Sequence, residues 1–103
     1  MNHLPVTLYV IYHGDPQSRF DRDYYVSEHL PLVMKAWHQH GLLSAIAFFP
    51  AVRQAGTLAI CECRFRDEKA MESALSSPEM PEVMADVARF TDITPARARA
   101  IDL

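Results

Sequence analysis

Phe20-Asp21-Arg22-Asp23-Tyr24-Tyr25-Val26-Ser27-Glu28-His29-Leu30-Pro31-Leu32 is the stretch on which the fold turns. It opens a helix and sets a histidine on that helix's apolar side. Asp21 carries the short carboxylate of an N-cap, and Asp23 brings negative charge to the first turn, where the helix dipole favours it. Helical spacing then runs from Arg22 to Gln39, and Gly41 is placed as a stop. Pro31 lies inside this span. It lacks an N–H and crowds the preceding turn, so a kink or a split near Leu30 is expected. At ~100° per residue, Tyr25, Val26, His29, Leu32, Val33 and Ala36 share one face, with Leu30 and Trp37 on its flank. Tyr24, Ser27, Glu28, Lys35 and His38 fall opposite.

Strands flank this helix. Leu4 to Tyr12 is rich in β-branched and aromatic residues, with Pro5 where a strand begins. The segment from His13 to Ser18 is a loop by its Gly and Pro. After Gly41, Leu42 to Phe49 and Thr57 to Phe65 are two further strands joined by a turn. Asp67 caps a short helix, Glu68 to Leu75, and helical spacing resumes from Glu79 to Ala88. Ala96, Ala98 and Ala100 alternate with Arg97, Arg99 and Ile101, as in a half-exposed last strand running to Leu103. The order β-α-β-β-α-β defines an α+β, ferredoxin-like domain over residues 1–103, with a four-stranded antiparallel sheet and both helices on one face. Two strands are apolar on both faces, and helices cover only one. A homodimer that packs sheet on sheet would hide the other.

The formal net charge is −3 and no basic cluster is present, which argues against a nucleic-acid partner. No apolar run approaches the ~18 residues of a membrane span, and no secretion signal opens the chain. A cytoplasmic location is expected. Cys61 and Cys63 lie two apart in a strand, which suits two small buried hydrophobes better than a disulfide or half of a metal site. The five histidines show no paired spacing with a supporting carboxylate, so neither a metal site nor a cofactor is expected. Three glycines leave no phosphate loop, and no nucleophile motif surrounds the serines.

The candidate site is therefore the buried face of the first helix. Burial disfavours the imidazolium, so His29 would be a neutral base near neutral pH. Tyr25, one turn earlier, can touch it. These two are the expected catalytic residues, and Tyr9, Tyr12, Leu32, Val33 and Trp37 are expected to bind a small hydrophobic substrate. The alternative is a histidine satisfied within the core.

The motif Phe20-Asp21-x-Asp23-Tyr24-Tyr25-x-x-x-His29-Leu30-Pro31-Leu32 resembles the signature of the EthD family, linked to ethyl tert-butyl ether degradation. Phe90-Thr91-Asp92-Ile93-x-Pro95 is similar to the family's approach to its last strand. The resemblance implies a dimeric α+β barrel made of two ferredoxin-like sheets. It also implies a superfamily of cofactor-independent monooxygenases, isomerases, cyclases and haem-handling proteins. On it rest three expectations: a small oxygenase or isomerase with His29 as acid/base, an accessory protein that carries a hydrophobic metabolite for an oxygenase partner, or a haem binder.

Overall fold

The computed structural model of the protein describes residues 4–100. Strand β1 (Val6–Gly14) leads into helix α1 (Arg22–Tyr24), a π turn (Tyr25–His29), helix α2 (Leu30–Trp37) and a 3-10 turn (His38–His40). Strands β2 (Leu42–Phe48) and β3 (Gly56–Phe65) follow. Helices α3 (Glu68–Leu75) and α4 (Met80–Asp86), a 3-10 turn (Val87–Arg89) and strand β4 (Ala96–Ala100) complete the chain. Residues 101–103 of the expected last strand, with Ile101, lie outside the described residues.

The caps expected at Asp21 and Asp67 form. Asp21 accepts a hydrogen bond from the Tyr24 N–H at 3.0 Å, and Asp67 accepts one from the Ala70 N–H at 2.8 Å. Gly41 ends the first helical run at φ 103°, and a Cβ there would sit 2.5 Å from that of Ala70. Only glycine meets both the left-handed backbone and that close approach. Pro31 acts in an unexpected way. The helix neither breaks nor splits, but widens one turn ahead, and the Leu30 N–H bonds the carbonyl of Tyr25 five residues back. Pro31 takes the first turn of α2, where a missing N–H costs little.

The sheet is antiparallel throughout, in the order β2-β3-β1-β4. Leu8 and Tyr12 of β1, and Ala59, Cys61, Cys63 and Phe65 of β3, turn their side chains to the helices. They meet Tyr25, Val33 and Trp37 from the first helical run, Ala70, Met71 and Ala74 from α3, and Val83, Val87 and Phe90 from the last. Each fully buried aromatic contributes about 2–3 kcal/mol relative to exposure.

The other face carries Tyr9 and Ile11 of β1, Ile46 and Phe48 of β2, and Ile60 of β3. Ile46 is 47% exposed and Phe48 50%. The expectation of a barrel is corrected here. The sheet is open, with β2 and β4 as its edges. β2 and β4 make no ladder with each other, so the sheet keeps two edges and does not close.

Candidate functional site

The two segments singled out in the sequence are brought together. Phe20 bridges Thr91 in an antiparallel pair. The Asp21 N–H donates to the Phe90 carbonyl at 2.8 Å, and the Thr91 hydroxyl donates to the Arg19 carbonyl at 2.6 Å. This clasp fixes Phe90 against the helix. Its ring centroid lies 4.9 Å from that of Tyr25 and 4.7 Å from that of His29. Tyr12 and Phe20 complete an aromatic cluster around Tyr25. Tilted and edge contacts of this kind add about 0.5–1.5 kcal/mol each.

His29 ends the π turn and is 5% exposed. Its Nδ1 lies 2.8 Å from Oδ2 of Asp86, the last residue of α4. The Tyr24 hydroxyl donates to the other carboxylate oxygen at 2.7 Å. A carboxylate only accepts, so Nδ1 carries the proton and Nε2 holds the lone pair. Nε2 has no hydrogen-bond partner among the described residues, yet it is not sealed from the cavity. Burial lowers the His29 pKa from its ordinary 6.5, and the bond and charge of Asp86 oppose that only in part. Burial also tends to raise Asp86. The hydrogen bonds from His29 and Tyr24 and the nearby charges outweigh it and hold the carboxyl below its ordinary value. The pair is a neutral imidazole on an ionised carboxylate, as in an oriented general base.

His29 borders a cavity of about 180 Å³ between helices and sheet. A cavity of about 150 Å³ lined by apolar side chains can hold benzene, so this one suits a single ring. It lies below the range of about 300–1,000 Å³ of drug-sized sites. Tyr12, Tyr25, Val33 and Trp37 line it, together with Leu8, Val83, Val87 and both cysteines. Burial pushes the Tyr12 and Tyr25 phenols well above their ordinary pKa, so both keep their protons. Each can therefore donate to an oxygen but cannot act as a base. The cysteine sulfurs lie 3.6 Å apart, and Tyr25 interacts with that of Cys61.

Two expected binding residues are not part of this arrangement. Tyr9 is on the opposite face of the sheet, where its hydroxyl donates to Glu62 at 3.1 Å. Leu32 is half-buried and does not line the cavity. Asp86 and Tyr24 are the additions. Asp86 stands three residues after the buried Val83 and four before the buried Phe90. A carboxylate on an apolar helical stripe was the available signal. Among the described residues, no group of three or more His, Cys, Asp or Glu side chains is placed to hold a metal ion. No helix among them is long and apolar enough to cross a membrane.

An open antiparallel sheet, one helical layer and an apolar cavity bordered by an aspartate-paired histidine define a small α+β protein. The chain belongs to the EthD family: the EthD domain matches residues 17–94. No curated protein matches it. An EthD-like protein of Ralstonia eutropha JMP134 has a similar structure, with TM-score 0.76 and 20% identity over 96% of this chain and 92% of the other. An EthD-family protein of Bacillus halodurans C-125 gives TM-score 0.69 and 19% identity over 95% and 100%. A protein of Bacteroides thetaiotaomicron, proposed to be an antibiotic biosynthesis monooxygenase, gives 0.62 and 16% over 97% and 90%. At these identities the likeness is one of fold.

Proposed function

We propose that the chain is a proton-transfer catalyst for a small, mostly apolar, single-ring compound. The observation that carries this reading is the free Nε2 of His29 on the cavity, with Nδ1–H committed to Asp86. His29 Nε2 takes an acidic hydrogen from a phenolic or enolisable substrate. The imidazolium that forms is stabilised by the Asp86 carboxylate, and the phenols of Tyr25 and Tyr12 donate to the oxygen on which charge develops. Return of the proton to a different atom is an isomerisation. Reaction of the carbanion with dissolved dioxygen is an oxygenation. Both fit a role in oxidative or degradative metabolism, which membership of the EthD family supports.

The experiment is solvent-deuterium incorporation into a panel of small phenols, lactones and cyclic ketones. Exchange by the wild-type protein that is lost in His29→Ala supports the reading. No exchange in any compound, together with tight binding of one that His29→Ala leaves unchanged, would mark the protein as a carrier for an oxygenase partner.

We also propose that the protein works as a homodimer through the uncovered sheet face, because Ile46, Phe48 and Leu43 are about half exposed there or at its edge. Light scattering should give twice the chain mass at micromolar concentration. An Ile46→Lys/Phe48→Lys double variant should give the single mass, and a monomeric wild type contradicts the proposal.

A further inference from the structure

Arg97 is the charged side chain among those that line the cavity, apart from the titratable His29. It comes from the edge strand β4, opposite Val10 in the β1 register. Its neighbour on the same strand face, Arg99, is paired with Glu68 at 2.7 Å. Arg97 has no carboxylate within ion-pair distance among the described residues and no other recorded partner. The Asp86 carboxylate does not line the cavity, and it is already met by His29, Tyr24 and Arg89. Arg97 is exposed, so its guanidinium stands in water at the mouth of a mostly apolar chamber. A guanidinium without an ion-pair partner at the mouth of a cavity can take an acceptor oxygen of what fills it.

We propose that the ligand of this cavity is a small cyclic organic anion, its carboxylate or ionised oxygen held by Arg97 at the rim and its ring in the apolar interior beside His29. This deepens the proton-transfer reading and rests on the same cavity. A guanidinium fork matches a carboxylate, and a charge-assisted pair is about twice as strong as a neutral one. Arg97 also has a chemical use there. When His29 removes a proton, a second negative charge forms on the substrate, and a cation already facing the chamber lowers the cost of that charge.

The test is calorimetric titration of the full chain with benzoate and with its neutral isostere benzamide. Benzoate should bind about ten-fold more tightly at low salt, and the preference should shrink as salt rises because Arg97 is partly in water. Arg97→Met should bring the two affinities together and leave that of benzamide unchanged, while Arg97→Lys should keep part of the preference. Arg97 is exposed on an edge strand, so thermal melting of both variants should match wild type. Equal affinities in the wild type, or a preference that survives Arg97→Met, overturns the anion proposal alone. Failure of both probes to bind overturns the single-ring cavity reading with it.

Discussion

Among the described residues, two histidine–carboxylate pairs of nearly equal length join the first helical run to the second. His29 meets Asp86 at 2.8 Å and His40 meets Glu79 at 2.7 Å. They differ in what is left over. At His40 both ring nitrogens are used, since Nδ1 lies 3.1 Å from the Ser73 hydroxyl, and Gln39 also donates to Glu79. The side chains are 21% and 30% exposed. At His29 the side chains are 6% and 11% exposed, and one nitrogen remains unspent on a cavity. The backbone differs as well: the helix widens to a π turn that ends in His29 and tightens to a 3-10 turn at His38–His40. Bond length therefore does not distinguish a clasp from a base. Burial and the second nitrogen do.

The sharpest way to break this comparison is to remove each ring in turn. His29→Ala should lower proton-transfer turnover by about 10²–10⁴-fold, the usual contribution of a positioned base. His40→Ala should leave it unchanged. Deuterium exchange under identical conditions measures both, and equal losses would show that the two histidines play the same structural part.

The carboxylates should separate next, in stability. Asp86→Ala strands the buried Nδ1–H of His29, at a cost of about 1–3 kcal/mol, and removes the acceptor of the more exposed Tyr24 hydroxyl. Glu79→Ala breaks a half-exposed pair and should cost at most about 1 kcal/mol. Urea unfolding of the two variants checks the order. A reversal would mean that Asp86 is more hydrated than its bonds imply.

Acid provides a third separation. The folded protein holds His29 below its ordinary 6.5, so between that folded value and 6.5 the unfolded chain binds more protons. Stability from this group is complete above about pH 6.5 and falls as pH drops through that window. Asp86, held below its ordinary 3.8, adds a second loss at lower pH, as the carboxylate is protonated. Chemical denaturation from pH 7.5 to 5 should show a decline that His29→Gln flattens. A decline of unchanged slope in His29→Gln would assign it to other groups.

Much of this arrangement was legible in the sequence. The four-residue spacing of Tyr25, His29 and Val33 survives in the structure, and all three are buried. Tyr12 and Trp37 were found from strand and helix patterns in the same way. Val26 and Leu32 were placed inside by a constant ~100° step, yet Val26 is 49% exposed. The π turn spends an extra residue and shifts the phase of everything on either side of it, which no uniform helical sort contains. Tyr9 failed for another reason. β1 is apolar on both faces, so alternation alone could not say which face meets the helices. Asp86 is 57 residues from His29 in the chain. Its place on an apolar stripe was visible, but its partner is fixed only by the packing of α4 against the first helical run.

The smallest effect separates the two irregular turns themselves. Pro31 supplies no N–H to the turn before it, and the Leu30 N–H reaches back to Tyr25 rather than to Val26. Pro31→Ala restores a donor and removes the ring's crowding, so an ordinary α turn becomes available between Tyr25 and Leu30. Proline also restricts the unfolded chain, and losing that restriction costs about 0.4–1 kcal/mol. The regained helical hydrogen bond offsets part of this, so the net change in unfolding free energy should be below about 1 kcal/mol. Tightening the turn would rotate Tyr25 and His29 relative to the sheet and weaken the His29–Asp86 bond, while His40 and Glu79, beyond α2, stay in place. A ring-nitrogen NMR titration should then show His29 protonating at a different pH in the variant. If the His29 titration is unmoved, the π turn is held by the packing of Tyr25 and His29 on Phe90, and proline is its consequence rather than its cause.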